Sequence, residues 1–327
     1  MSGVPGDDRS DAGGHERTSR DEFRAQVQSR KADLEKQFEA SKAQFDQAQE
    51  KIKARTGRNL ILAIIIGLAF GGLLLLSLLV IKELFMLFAV VLAGFAAWEL
   101  SQALRKGDFD VPRIPTVAAA VIAIPIAYYG GASGQLLAVL GAIVLVTAWR
   151  LVEQAVPSRR RSGTSLLRDL TAGVFVQGYV TLLATFTVVL TAAEGGQWWT
   201  LAFIIIAVAA DVGAYAFGLM FGKHKMAPVI SPKKTWEGFA GGAGASLLAG
   251  VLLSLFMLGN TWWFGLIFGA AIFLTATLGD LAESLVKRDI GIKDMSSWLP
   301  GHGGFLDRLD SILPSAAVAF VAFRIFG

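Results

Sequence analysis

Two acidic residues near the end of the chain have the spacing that a metal-assisted reaction requires. Asp307 and Asp310 belong to the stretch SLVKRDIGIKDMSSWLPGHGGFLDRLD, which spans 284–310 of an otherwise apolar protein. Because they lie three positions apart, a helical turn places both carboxylates on one face, where they can hold one cation. The same stretch carries cationic side chains that suit phosphate oxygens, namely Lys287, Arg288 and Lys293. The pattern indicates a metal-assisted reaction on a phosphorylated substrate at a membrane surface.

A histidine and a third acidic position extend this pattern. His302 lies among glycines, which let backbone N–H groups approach an anion closely. Asp280 ends an apolar segment, with Glu283 one turn later, and it can join Asp307 if the intervening loop folds back. Carboxylates in a phosphate-rich site favour Mg²⁺. The alternative is a solvated loop whose basic residues only orient membrane helices, but that role does not require interleaved acids and bases or clustered glycines.

A second charged loop, GKHKMAPVISPKKTWEGFAGG, spans 222–242. Lys233 and Lys234 provide cations there, while Ser231 and Thr235 offer hydroxyl groups. The loop is not a Walker A loop, because the order GxxxxGK[ST] is missing. Lysines that follow a membrane helix commonly act only as positive-inside anchors, so residue chemistry alone leaves phosphate binding and anchoring both open. His224 has no partner that the sequence identifies.

Polar residues inside or beside apolar segments are costly in lipid and usually have a use. Asp211 lies in the middle of such a segment and precedes the loop at 222–242, called the lysine loop below, so it is a candidate site residue. The alternative is a helix–helix contact made by small residues, with the Asp211 carboxylate paired inside the protein. Glu99 lies near a segment end and is interpreted as interfacial. Arg150 and Glu153 are interpreted as boundary residues.

The composition places most of the chain in lipid. The 327 residues are 54% hydrophobic and 17% charged, and the mean hydropathy is +0.55. The net charge of +4 does not indicate nucleic acid, because basic residues of membrane proteins collect in cytoplasmic loops and at anionic headgroups. Without cysteine, the chain has no disulfide, thiolate ligand or thiol nucleophile.

The predicted fold is an all-α, polytopic membrane protein with about nine transmembrane helices, since most apolar segments approach the ~20 residues that a crossing needs. The segments are 60–81, 84–104, 114–130, 134–152, 166–192, 198–220, 240–258, 261–279 and 312–326. Basic connections alternate with connections that carry almost no charge, which predicts a cytoplasmic N-terminus and a cytoplasmic site.

The polar N-terminus is predicted to be a separate region. Residues 1–57 form an expected cytoplasmic extension without a cleavable signal peptide, and 58–327 form the expected membrane domain. The first ~20 residues have a composition typical of disorder. The stretch from Asp21 to Arg55 favours helix and shows a seven-residue apolar pattern, which leaves open a short coiled coil or a solvated amphipathic helix.

With these residues assembled, the chain resembles the phosphatidate cytidylyltransferase family, also called CDP-diacylglycerol synthases. The family signature is filled without departure by Ser284, Val286, Lys287, Arg288, Lys293, Asp294, Ser296, Leu299, Pro300, His302, Gly303, Gly304, Phe305, Asp307, Arg308, Leu309 and Asp310. The resemblance also covers the SPKKT loop with Glu237 and Gly238, and Asp211 with Tyr215. It extends from about residue 60 to the C-terminus.

The resemblance implies transfer of a cytidylyl group from CTP to phosphatidate, giving CDP-diacylglycerol and pyrophosphate in a cell (plasma or inner) membrane. On this hypothesis Mg²⁺ is held by Asp280, Asp307 and Asp310. The catalytic candidates are Asp307, Lys287, Arg288 and His302, of which His302 orients. The phosphate-binding candidates are Ser231, Lys233, Lys234, Thr235, Lys293, Arg308 and Asp211, with Asp211 supporting the lysine loop. The expected partners are CTP, phosphatidate, the bilayer and a second copy in a homodimer.

Two other classes of function compete with this one. A CTP-dependent polyprenol or lipid-alcohol kinase would release CDP, and a cytidylyltransferase for another lipid phosphate would differ only in its acceptor. A transporter or channel would need ionisable residues along the middle of several spans, whereas Asp211 is the clear case here. The full signature favours the phosphatidate enzyme.

Overall fold

The computed structural model of the protein describes residues 60–296 and 304–327, with side chains of the first helix described at 67–69 and from residue 71. Residues 67–327 form one compact unit. The predicted N-terminal extension and its seven-residue pattern lie outside the described residues, as does His302. The observed secondary structure is almost entirely helical, as the composition predicts.

Ten α-helices and two short strands follow one another in the described part of the chain. They are α1 (Leu60–Leu79), α2 (Lys82–Lys106), α3 (Arg113–Glu153), α4 (Gly163–Val176), α5 (Leu183–Ala192), α6 (Gly196–Phe221), β1 (Lys225–Ala227), β2 (Ser231–Thr235), α7 (Trp236–Phe256), α8 (Trp262–Ile290), α9 (Leu306–Leu309) and α10 (Ile312–Phe326). A π-helical turn, Gln177–Leu182, joins α4 to α5. The strands pair as an antiparallel hairpin.

Seven helical segments within the described residues are long and apolar enough to cross a membrane. They are α2, α3, the α4–α5 pair, α6, α7, α8 and the α9–α10 pair, and α1 adds a shorter apolar stretch at 67–79. The protein is therefore a multi-pass membrane protein. Each predicted apolar segment falls on one of these helices.

Helix α3 accounts for two predicted segments because the chain reverses inside it. Gly131 has φ 59° and ψ −147°, a conformation outside the helical region that glycine adopts readily. A Cβ atom at Gly134 would lie 2.5 Å from the carbonyl oxygen of Ile126, so the two arms approach closely at the turn. Buried Ala119 packs with Ala142 further along the arms. The segments predicted at 114–130 and 134–152 are these antiparallel arms.

Glycine positions set the distance between α7 and α8. A Cβ atom at Gly250 would lie 2.4 Å from the carbonyl oxygen of Gly265 and 2.9 Å from the Cα of Gly269. Small residues of this kind let helix backbones come close in lipid, where dispersion and not the hydrophobic effect holds helices together. The α7–α8 contact therefore depends on the absence of side chains at these positions.

A buried ion network joins the connections around α3 and α4. Arg150 is 0% exposed, and its Nη2 lies 2.7 Å from Oδ2 of Asp169, which is also buried. Oδ1 of Asp169 accepts a hydrogen bond from the backbone N–H of Asp110 at 2.8 Å. Nearby, hydrogen bonds to Asp108 raise the pKa of the Arg161 guanidinium. Arg150 does lie at a helix end, as predicted, but it is a buried structural residue.

The α7–α8 contact gives a matched pair of substitutions on one helix. We expect Gly250→Ala to destabilise the protein by about 1–3 kcal/mol, because the added methyl group overpacks a backbone contact. Gly244→Ala, also on α7, introduces a methyl group with nothing within 4 Å and should leave stability nearly unchanged. Thermal unfolding in detergent measures the difference, and equal midpoints for the two variants would contradict the packing argument.

Candidate active site

The last turns of α8 carry a row of charged side chains on one helical face. Asp280, Ser284 and Lys287 are spaced by four and three residues, which aligns them along the helix. Ser284 Oγ lies 3.3 Å from Oδ1 of Asp280, and Lys287 Nζ lies 3.4 Å from Oε2 of Glu283. The helix therefore presents acids and a cation together at its C-terminal end.

Asp307, the second residue of α9, joins this row through its two carboxylate oxygens. Oδ1 lies 2.7 Å from Lys287 Nζ. Oδ2 accepts hydrogen bonds from the backbone N–H of Gly304 at 2.8 Å and of Met295 at 3.2 Å. Residues on both sides of positions 297–303 therefore converge on one side chain. The side chains of Lys287 and Asp307 are only 14% and 11% exposed, so the pair is largely shielded from solvent.

A glycine lets Asp310 approach α8. A Cβ atom at Gly279 would lie 2.1 Å from the backbone carbonyl oxygen of Asp310, which requires glycine at the position before Asp280. The Asp310 carboxylate accepts a hydrogen bond from the backbone N–H of Ser311 at 2.7 Å and interacts with Glu283 and Asp280. The predicted convergence of Asp280, Asp307 and Asp310 is thus visible in the structure as one acidic cluster around Lys287.

The β1–β2 hairpin, which carries Lys225, Lys233 and Lys234 and is called the lysine hairpin below, contacts α8 at two points. Lys234 Nζ lies 2.7 Å from Oδ2 of Asp280. Arg288 donates a hydrogen bond from Nε to the carbonyl oxygen of Ile230 at 3.2 Å. The two charged motifs of the sequence, separated by about 50 residues, therefore form a single site.

Two side chains at the start of α7 hold the hairpin in shape. Thr235 is the N-cap, and its Oγ1 accepts a hydrogen bond from the backbone N–H of Gly238 at 3.1 Å, the usual role of a threonine there. The Glu237 carboxylate accepts hydrogen bonds from the backbone N–H groups of Lys223 and His224, and lies 2.6 Å from Nδ1 of His224. Glu237 is therefore the partner of His224 that the sequence did not identify.

The remaining predicted residues lie around this centre. Asp211 on α6 interacts electrostatically with Asp310, Asp280 and Lys234, which places it beside the cluster. Ser231 begins β2 and is partly buried, whereas the other three described candidates are exposed to solvent, namely Lys233, Lys293 and Arg308.

The acidic cluster has the chemistry of a cation site without a complete ligand shell. Across residues 60–296 and 304–327, no three histidine or acidic side chains are arranged as a metal-ligand group. Within the described residues, both carboxylate oxygens of Glu283 are buried and accept no hydrogen bond, with Lys287 Nζ 3.4 Å from Oε2 as the one cation beside them and with Asp310 and Asp307 close by. Buried, unsatisfied carboxylates are costly unless a cation or hydrogen-bond donor balances them. An added cation fits this donor set.

Sequence reasoning missed two residues that face the site. Glu99, interpreted as interfacial, is 0% exposed and accepts hydrogen bonds from the backbone N–H groups of Phe305 and Leu306 at 3.0 and 2.8 Å. Tyr179, in the π-helical turn, has a buried hydroxyl that makes no hydrogen bond within 60–296 or 304–327, and it interacts with Glu283. An acidic residue in an apolar helix was a signal for Glu99, whereas nothing in the local sequence marked Tyr179.

The Glu237 contacts predict a local effect on the hairpin. In Glu237→Ala we expect trypsin to cut at the hairpin lysines about tenfold faster or more, because a hydrogen bond to a charged group contributes about 1.5–3 kcal/mol. Timed limited proteolysis with fragment mass analysis measures the rate. Glu194→Ala, which alters an exposed acid at the opposite end of α6, is the control, and equal cutting of both variants would show that Glu237 does not hold the hairpin.

Comparison with known proteins agrees with the geometry. The profile of the cytidylyltransferase family matches residues 61–326. A phosphatidate cytidylyltransferase of Mycobacterium bovis is 40% identical over 273 residues, covering 82% of this chain and 89% of that protein. The corresponding protein of Mycobacterium leprae is 38% identical over 274 residues, covering 81% and 88%. One from Staphylococcus saprophyticus is 45% identical over 124 residues, covering 38% and 47%. The chain therefore belongs to the cytidylyltransferase family.

Proposed function

We propose that this protein is a phosphatidate cytidylyltransferase, which uses CTP and phosphatidate to make CDP-diacylglycerol and pyrophosphate for phospholipid synthesis. The observation that carries the proposal is the docking of the lysine hairpin onto the acidic cluster at the end of a membrane helix, through Lys234 and Asp280 at 2.7 Å. The names of the relatives support the same reaction. A site at the end of membrane helices suits one water-soluble and one lipid substrate.

The reaction joins two phosphates, so its main requirement is charge neutralisation. An oxygen of the lipid phosphate attacks the α-phosphorus of CTP, a new P–O bond forms, and the bond to the β-phosphate breaks as pyrophosphate leaves. Such transfers depend on positioning and electrostatic stabilisation more than on a protein nucleophile. The phosphate oxygen is already largely ionised at neutral pH, so no strong general base is needed.

The lysines have the geometry to receive phosphate oxygens. Lys234 and Lys287 are held at 2.7 Å from Asp280 and Asp307, which keeps each ammonium group oriented before substrate arrives. We assign four cations to phosphate charge, namely Lys233, Lys234, Lys287 and Arg288. Ser231 and Thr235 are assigned to hydrogen bonding, and Lys293 and Arg308 to the solvent side of the nucleotide phosphates. His302 orients the phosphates, and Asp211 supports the hairpin.

We further propose that the acidic cluster holds Mg²⁺ through Asp280, Asp307 and Asp310. The fit rests on the closeness of these carboxylates to one another and to the buried Glu283, since Mg²⁺ takes few protein ligands and keeps water and substrate oxygens around it. When bound, the ion would neutralise charge on the nucleotide phosphates. Lys287 contacts Asp307 and Glu283, so its side chain would keep these carboxylates apart and oriented.

The same proposal includes a route for the lipid, a membrane orientation and an oligomeric state. The acyl chains of phosphatidate enter sideways between helices from the bilayer. The N-terminus and the site face the cytoplasm of a cell (plasma or inner) membrane, because the basic connections lie on the side of the site and CTP is cytoplasmic. The working unit is a homodimer, as the family resemblance implies.

The products of the reaction test the proposal. Purified protein in lipid, supplied with α-labelled CTP, phosphatidate and Mg²⁺, should place the label in a lipid and release pyrophosphate. Asp307→Ala should lower this rate by about a hundredfold or more, because a buried Lys287 loses its partner and the metal loses a ligand. Omitting Mg²⁺ should abolish the wild-type rate.

The other outcomes of this assay separate the competing functions. Label that remains in soluble CDP while a lipid alcohol is phosphorylated would identify a kinase. Label transferred only to another lipid phosphate would keep the chemistry and change the acceptor. No turnover with any lipid would contradict the enzymatic proposal.

Lys234 gives a second prediction, on nucleotide binding. Lys234→Met should lower kcat/KM for CTP by about ten- to a hundredfold, because a hydrogen bond to a charged group contributes about 1.5–3 kcal/mol. Lys106→Met removes an exposed positive charge at the end of α2 and is the control for net charge. Steady-state kinetics over a CTP series measures both, and equal effects would assign only a general electrostatic role to Lys234.

A further inference from the structure

Glu99 is a buried acid that none of the chemistry above uses. It lies near the C-terminal end of α2 and is 0% exposed. Its Oε1 accepts hydrogen bonds from the Ser296 hydroxyl and from the backbone N–H of Phe305, while Oε2 accepts one from the backbone N–H of Leu306 at 2.8 Å. These donors lie before and after positions 297–303, about 200 residues from Glu99 in sequence.

A second contact holds residues 304–306 against α2. One turn before Glu99, the ring of Phe95 stacks on Phe305 with centroids 4.5 Å apart and an interplanar angle of 7°. A Cβ atom at Gly304 would lie 2.7 Å from Oε2 of Glu99, so the backbone approaches the carboxylate as closely as glycine permits. Helix α2 therefore contacts residues 304–306 through two side chains on one face, the ring of Phe95 and the carboxylate of Glu99.

Glu99 and Asp307 accept hydrogen bonds from different backbone N–H groups of this segment. Glu99 accepts from Phe305 and Leu306, whereas Asp307 accepts from Met295 and Gly304. Buried N–H groups need acceptors. If Glu99 no longer accepted both N–H groups, the Asp307 carboxylate would be a neighbouring acceptor, and a hydrogen bond to it would draw Asp307 away from Lys287.

We propose that Glu99 is a positioning residue, which holds the backbone of 304–306 against α2 so that Asp307 stays paired with Lys287 and available to the substrate phosphates. This role rests on the proposed function. It assigns to α2, which carries none of the signature residues, control over the backbone geometry of 304–306, next to Asp307. A Gln side chain has one acceptor oxygen where Glu has two, so Glu99→Gln separates the contacts from the shape of the side chain.

Hydrogen exchange and kinetics together test this role. In Glu99→Gln, we expect the backbone N–H groups in a peptide covering 304–310 to exchange about tenfold faster or more, because a buried donor loses its acceptor. The kcat for CDP-diacylglycerol formation should fall by about tenfold or more, while the KM for phosphatidate changes by less than about twofold. Phe95→Leu, which does not alter the carboxylate, should shift both quantities in the same direction by a smaller factor.

Asp169→Asn is the control for general damage, because Asp169 is an equally buried acid that binds Arg150 away from the site. It should lower the unfolding temperature and leave kcat per folded protein and exchange at 304–310 unchanged. Wild-type kcat and exchange in folded Glu99→Gln would overturn the proposal, as would matching losses in Asp169→Asn. If wild-type protein makes no CDP-diacylglycerol, the proposed function fails, and the exchange comparison still decides whether Glu99 holds the loop.

Discussion

The ion pair between Lys287 and Asp307 is the interaction on which the candidate site depends. It joins the end of α8 to the start of α9 at 2.7 Å, with both side chains largely shielded from solvent. A buried ion pair carries a desolvation cost that only good geometry and further hydrogen bonds offset. The backbone N–H groups of Gly304 and Met295 supply those bonds to Asp307. The geometry of the Lys287–Asp307 pair therefore depends on the backbone positions of Met295 and Gly304.

Glycine is the second requirement of the arrangement, because carboxylates and backbone must approach within contact distance. Gly279 brings the backbone of Asp310 against α8, and Gly304 brings the loop against Glu99. Acids that are close together repel unless cations lie between them. Lys287, in contact with both Glu283 and Asp307, meets this need in the folded chain.

The sequence predicted the membrane helices, because apolar length is a local signal, and its charged motifs contain the residues that the structure brings together at the end of α8. Lys234 and Asp280 were both candidates from the sequence, whereas their contact at 2.7 Å could not be predicted because it requires the fold to bring two distant loops together. Glu99 was misjudged, since the groups that give it a role are backbone donors about 200 residues away. Tyr179 left no local signal because a π-helical turn, which ordinary helical periodicity does not predict, places it. Predictions for His302 and for residues 1–57 remain predictions.

The length of α8 determines where its residues lie relative to the bilayer. Its 29 residues span about 43 Å at 1.5 Å per residue, which exceeds the ~30 Å of a hydrocarbon core. Exposed Trp262 and Trp263 begin the helix, and tryptophan prefers the headgroup boundary. About 20 residues later the helix reaches Asp280, so the opposite boundary falls where the charged row begins. The hydrophobic thickness of the bilayer then sets how far the carboxylates at the end of α8 lie from the lipid phosphates along the membrane normal. A bilayer thinner than this helix section would tilt the helix, whereas a thicker one would thin locally around it, and either change would move the two reacting phosphates out of register.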